Sequence, residues 1–297
     1  MDENKKEIIK HLFSGQEKLP TLPTIFGEFN ALMASPSVSP RKVAALIKKD
    51  QSLIVRIISL CNVALYSKRE TIKDITSAVA YLGLENLKKM ILQISLSNMF
   101  KFGPTEIPDF SPITFWEHSL GTAHFSELIA KLLNFKPNEN YYISGLMHDV
   151  GKKLIYQCYP DLFEEIVFNQ INDDIKDYDS ERDVLGVDHT DIGAFFADTW
   201  RFNNTVSDAI QNHHSLAESK SNVVTLIVHL ANKFAKKADL CFPWDDRDEK
   251  IEDSMAWEKI MTLTQGNLEI DVDKITLTLI DATTAIKNNV NSLLQKK

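Results

Sequence analysis

The chain is poor in cysteine, glycine and proline, and it has no long apolar run. Its three cysteines, Cys61, Cys158 and Cys241, are an odd number with no CxxC or zinc-finger spacing. That excludes a disulfide framework and a thiolate metal site, and it predicts a reducing compartment. Charged residues interrupt every stretch that could approach the roughly 20 apolar residues needed to cross a bilayer. The start MDENKKEIIKHLF lacks the apolar core of a signal peptide. A cytoplasmic protein with no membrane contact is expected. Glycine and proline number only 10 each in 297 residues, while 44% of residues are hydrophobic and 25% charged. These values exclude collagen-like, low-complexity and disordered chains. The alternation of apolar and polar residues that marks a half-buried strand is missing too.

What is present repeats at the helical period of 3.6. Ile25, Phe26, Phe29, Leu32 and Met33 form one stripe, and Ser39-Pro40 opens the next helix with a cap and a first-turn proline. Further stripes run through Leu53, Ile54, Ile57 and Ile58, through Ile75, Ala78, Val79 and Leu82, and through Leu87, Met90, Ile91 and Ile94. Pro104, Pro108 and Pro112 fall within nine residues and cannot all be interior to a helix, so a linker separates two halves. Helices resume over 114–133, 140–150, 190–200, 205–214 and 222–237, and the tail holds a short helix near 257–261 and a long one over 273–295. The expected fold is all-α, with two packed helical subdomains. An N-terminal bundle takes residues 1–105 and a second bundle 106–240, with a docked helical extension over 241–297.

Charge is uneven. Net charge is −8, but residues 1–101 carry +6 and the remainder −14. This asymmetry reports either a partner surface or two subdomains that solubilise themselves differently. The basic pairs Lys48-Lys49, Lys68-Arg69 and Lys88-Lys89 stand beside acidic residues with no interleaved aromatics. They read as solvated helix faces rather than a nucleic-acid site.

Seven of the eight histidines fall between residues 118 and 229. The run Gly145-Leu-Met-His148-Asp149-Val-Gly151-Lys152 closes an apolar helix, with Gly151 read as the helix stop. Adjacent His and Asp are costly to bury unless something satisfies them. A divalent cation does so, and so does plain solvation at an exposed helix end. His118 lies on the stripe of Phe115, Thr122, Phe125 and Ile129, where a metal ligand and a hydrogen-bonded core histidine look alike. His189 shares a face with Gly193, Phe196 and Trp200. The His213-His214 pair ends the helix that carries Val206 and Ile210, where a helix C-terminus also favours imidazole. Together these positions supply five imidazoles and one carboxylate on four helices, while His124 and His229 read as ordinary helix residues.

The order His, His-Asp, His, His-His resembles the HD superfamily of metal-dependent phosphohydrolases and its HD-GYP branch over residues 113–240. Upstream, Leu19-Pro20-Thr21-Leu22-Pro23, Lys49-Asp50-Gln51-Ser52-Leu53 with Leu60-Cys61-Asn62, Ile75-Thr76-Ser77-Ala78-Val79 and Leu82-Gly83 are similar to the HDOD domain, an HD-related output domain of bacterial signalling, over residues 17–215. The resemblance implies that His118, His148 and Asp149 hold one metal, with Asp149 bridging, and that His189, His213 and His214 complete a second position. Lys152 would touch a substrate phosphate or a bridging water, or would simply favour its helix end. The cofactor implied is one or two divalent cations, iron or manganese first and nickel or zinc next.

The chain departs from that pattern. The final aspartate of the HD ligand set is Asn232 here, and a neutral amide binds a cation more weakly than a carboxylate. Thr114 stands where some HD-GYP proteins place an extra carboxylate, and Ser215-Leu216-Ala217-Glu218 replaces the GYP tripeptide. The implied function is therefore a regulatory HDOD signal-transduction module that binds a signalling protein or a small nucleotide or phosphoester, with homo-oligomers allowed. The alternative is an active metal-dependent phosphohydrolase, in which Asp149 and Lys152 would be catalytic and two cations would activate a bridging water.

Overall fold

The computed structural model describes residues 2–14, 23–65, 71–100, 107, 110–173, 175–216, 222–245, 247, 250–264 and 272–294. Leu19–Leu22, Lys68, Arg69, Pro104, Pro108, Ala217 and Glu218 lie outside them. Among the described residues all regular structure is α-helical. The helices are α1 (Glu3–Phe13), α2 (Thr24–Met33), α3 (Pro40–Ile47), α4 (Gln51–Leu65), α5 (Ile75–Met99), α6 (Pro112–Leu132), α7 (Glu139–Met147), α8 (Val150–Cys158), α9 (Pro160–Asp173), α10 (Asp177–Leu185), α11 (His189–Thr199), α12 (Asn204–Asn212), α13 (Val223–Lys237), α14 (Met255–Leu263) and α15 (Val272–Leu294). None of them is long and apolar enough to cross a membrane.

The chain forms two compact units. The smaller one takes Pro20–Lys101 and Ala285–Lys297. Its local structure follows from the motifs read above. Ser39 caps α3 through Lys42 N, with Pro40 at the first position. Asp74 caps α5 by accepting from Thr76 N and Ser77 N. Asn62 pairs with the backbone of Ile72 in both directions, at 3.0 and 2.8 Å, and so fixes the chain that leads into α5. Gly83 interrupts α5 at φ 72°, a left-handed conformation that a side chain would strain. Arg56 on α4 donates to Ser97 Oγ at 2.8 Å and to the Leu293 carbonyl at 2.5 Å, which joins the end of α15 to this unit.

The larger unit takes Met1–Leu19 and Phe102–Thr284. Helix α6 runs through it, with Phe115, Trp116, Thr122, Phe125 and Ile129 all buried, and α7 and α13 pack against it. Gly145 makes the α6–α7 approach possible, because a Cβ there would stand 2.8 Å from Ala123 Cα and Thr122 O. Helix α11 packs against α8 and α12. By sequence pattern residues 1–105 form one subdomain, and the tail over 241–297 docks on the other. In the structure α1 belongs to the larger unit, since Phe13 meets Phe196 and Tyr159 edge-on and Lys5 pairs with buried Asp191 at 2.8 Å. Helices α8, α9 and α10 occupy the stretch between 150 and 190, for which no helix is expected from the sequence pattern. In α10 the buried residues Ser180 and Glu181 are held by polar partners rather than by an apolar stripe.

Candidate metal centre

The five histidines and Asp149 converge inside the larger unit. His118 comes from the middle of α6. His148 caps the end of α7 and Asp149 the start of α8, so one short junction supplies adjacent donors. His189 is the first residue of α11, and His213 and His214 follow the last turn of α12. Gly151 is not the helix stop expected from the sequence. It sits in the first turn of α8, where a Cβ would lie 2.0 Å from the His189 carbonyl oxygen. Its missing side chain lets the start of α8 touch the start of α11, which brings Asp149 to His189.

The four innermost imidazoles address the two oxygens of Asp149 in pairs. His118 Nε2 and His148 Nε2 lie 3.6 and 3.4 Å from Oδ2, and 3.2 Å from each other. His189 Nε2 and His213 Nε2 lie 3.3 and 3.6 Å from Oδ1. Three of the opposite ring nitrogens are fixed by backbone carbonyls: His118 Nδ1 by Leu240 O at 2.7 Å, His148 Nδ1 by Gly145 O at 2.8 Å, and His213 Nδ1 by Ile210 O at 2.8 Å. A carbonyl only accepts, so each Nδ1 carries the proton and each Nε2 presents a lone pair toward Asp149. His189 Nδ1 donates instead to Glu181 Oε2 at 2.6 Å, and the same oxygen accepts from His189 N at 2.7 Å.

Electrostatics separates the rings. Burial, together with neighbouring rings, pushes His148 and His214 well below the usual imidazole value, and burial also lowers His118 and His213. These rings stay neutral, as metal ligation requires. For His189, burial is outweighed by the Glu181 carboxylate, which raises it to about 9. Burial opposes ionisation of Asp149, yet the cationic Lys152 and His189 beside it hold its carboxyl well below the ordinary range. Lys152 Nζ lies 3.1 Å from Asp149 Oδ2 and 2.6 Å from Asp177 Oδ2, and these two carboxylates keep it protonated against burial.

Asp149, His189, His213 and His214 offer ligand atoms that lie within 4.8 Å of one another, and so do His118, His148 and Asp149. The buried atoms Asp149 Oδ1, His189 Nε2, His213 Nε2 and His214 Nε2 have no hydrogen-bond partner. Donors that share a cation sit about 2.0–2.2 Å from it, hence about 3–4 Å apart, and the Asp149 distances fall in that interval. The residues fit two divalent positions that share Asp149. Asn232 comes from α13. It lines a cavity of about 490 Å³ together with His214 and Asp177, its Oδ1 buried and without a hydrogen bond. His229 donates through Nδ1 to the His213 carbonyl, and His124 packs edge-on against Tyr142.

Asp177 and Glu181 were not foreseen in the sequence. They lie four residues apart on α10, one facing Lys152 and the other His189. Their spacing was the available signal, but in DYDSERDVL it resembles a solvated acidic face.

The family model for the HDOD domain matches residues 19–216. A solved structure of an HDOD domain protein of unknown function from Geobacter sulfurreducens is 28% identical, covers 98% of each chain and superposes with a TM-score of 0.84. A candidate phosphohydrolase from Shewanella amazonensis SB2B shares the fold at 20% identity and a TM-score of 0.72, covering 95% of this chain and 97% of its own. An uncharacterised protein of Treponema pallidum (strain Nichols) is 24% identical over 216 residues, 72% of this chain, and the chain spans about two fifths (41%) of that relative's length.

Proposed function

The chain belongs to the HDOD domain family, and from that premise we propose that it is a signal-transduction module whose His/Asp centre holds one or two divalent cations and presents them to a phosphate-bearing ligand. One observation carries the reading: the Nε2 atoms of four histidines lie 3.3–3.6 Å from the two oxygens of one buried carboxylate. Bound there, the cations would supply Lewis acidity toward a phosphate oxygen. His118, His148 and Asp149 would hold one, and Asp149, His189, His213 and His214 the other. Lys152, fixed between Asp149 and Asp177, offers a positive charge beside the same carboxylate. Iron or manganese suits this mixture of imidazole and carboxylate donors, with nickel or zinc next.

Binding without turnover is the mode that Asn232 favours. A carboxylate in that place would add a full negative charge to the donor set, and the amide adds none. Metal retention is weakened and the bound cations attract anionic ligands more strongly. Elemental analysis of the protein after manganese or iron reconstitution tests the metal reading. One to two equivalents are expected in the unaltered chain and near zero in Asp149→Ala, which removes the donor that both positions share, and an unaltered chain that retains none sinks it. The same loaded sample should leave a generic phosphodiester such as bis(p-nitrophenyl) phosphate intact. Sustained hydrolysis abolished by His148→Ala would make the protein a phosphohydrolase instead.

A further inference from the structure

Four rings of the larger unit form a near-parallel row that ends at the cavity beside the metal centre. Tyr156 and Phe110 stack with centroids 5.0 Å apart and 20° between planes, Phe110 and Phe242 at 5.5 Å and 11°, and Phe242 and Trp244 at 4.9 Å and 3°. Phe242 covers one face of the half-buried Trp244, and Trp244 contributes to the cavity wall. Tyr178 lines the same cavity, its ring 5.2 Å from that of His214. Aromatic residues gather in this way around small-molecule sites, and a volume of about 490 Å³ lies within the roughly 300–1,000 Å³ such sites occupy.

The charges of the lining point to an anion. Among the described residues of the lining, Lys176, Lys233, Lys236 and Arg247 stand with Asp177 and Asp245, so cations outnumber carboxylates by two. Lys236 lies 3.4 Å from Asp245, so its ammonium is held in place on this wall. His214 and Asn232 bring the edge of the metal centre onto the same surface. Ring stacking at one side and cations at the other suit a ligand with a planar aromatic ring and a phosphate.

We propose that Trp244 is the stacking subsite of this cavity and takes the base of a nucleoside phosphate whose phosphate group faces Lys236 and His214. The proposal rests on the phosphate-binding part of the function given above. Stacking of a base on an aromatic side chain contributes enough to change affinity by roughly 5- to 150-fold.

Calorimetric titration of the full, manganese-loaded chain with adenosine 5′-monophosphate and with ribose 5-phosphate tests it. The nucleotide should bind at least about fivefold more tightly than the sugar phosphate. Trp244→Ala should bring the nucleotide down to the sugar-phosphate level and leave ribose 5-phosphate binding and manganese content unchanged, while Trp244→Phe keeps most of the preference. Equal affinities, or no binding of either probe, overturn the subsite, and so does a Trp244→Ala chain that still prefers the nucleotide. Manganese measured on the same samples separates the two claims. Retained metal with no preference for the base sinks the subsite alone, and a preference for the base without retained metal sinks the metal reading alone.

Discussion

At the scale of single residues, Lys153 has the most unusual environment in the larger unit. It follows Lys152, yet it is only 2% exposed, and its Nζ lies 3.6 Å from the centroid of the Trp116 ring. Burial pushes its amine down to about 7, whereas a lysine in an unfolded chain titrates near 10.4. Between those values the unfolded chain binds more protons than the folded one. Raising the pH from about 7 toward 10 therefore stabilises the fold, by up to about 1.4 kcal/mol per pH unit from this group. Lys153→Met carries no such proton, so its advantage over the unaltered chain in urea denaturation should be largest at pH 7 and below and shrink toward pH 10. A gap that stays constant across that range would mean that the amine remains charged on the Trp116 face, as cation–π attraction favours. The sequence made the histidines legible because imidazole on an apolar stripe is conspicuous. It hid Glu181, which orients His189, and Lys153, because a charged side chain on a helix ordinarily points to water.

At the scale of elements, the donors sit where helices begin and end, and the caps decide their aim. Asp188 is fully buried ahead of α11. Its Oδ1 accepts from Thr190 N at 2.9 Å, Asp191 N at 3.1 Å and Thr190 Oγ1 at 2.6 Å, and its Oδ2 accepts from Arg182 Nε at 2.8 Å. This cap locks the first turn, and His189 is the first residue of that turn. Asp188→Ala should destabilise the fold by about 2–3 kcal/mol, since it removes a cap and strands buried donors. It should also lower metal affinity by roughly tenfold or more, as loss of an orienting partner does. Urea denaturation and competition with a chelator would measure the two, and an unchanged metal affinity would separate the cap from the centre. Helices announced by a cap or a wide apolar stripe, such as α3, α6 and α13, could be read directly from the sequence. Helix α10 could not, because its buried side chains are Ser180, Glu181 and Leu185, and only the fold supplies partners for the first two.

At the scale of the whole molecule, every proposed ligand lies in the unit of Met1–Leu19 and Phe102–Thr284. A ligand that binds only the folded state stabilises what it binds, by about 2.7 kcal/mol at a hundredfold excess over its dissociation constant. Manganese should therefore slow amide exchange in α6, α8, α11 and α12, and leave α2 to α5 as they were. Equal protection gained in both units would show that they open as one cooperative body. The all-α class was legible because it rests on a short-range pattern. The two units were less so, since their membership depends on Phe13 meeting Phe196 and on Arg56 reaching the Leu293 carbonyl, pairs far apart in the chain. One consequence concerns how such a centre could be altered by mutation. Main-chain oxygens hold His118, His148 and His213, and every amino acid carries such an oxygen, so substitutions at Leu240 or Ile210 keep the anchoring atom, whereas Gly145 must also stay without a side chain for α6 and α7 to approach. Of these four rings His189 is the one held by a neighbour's side chain, so Glu181, like the Asp188 cap, is a position at which a single substitution could retune the centre while all its ligands are kept.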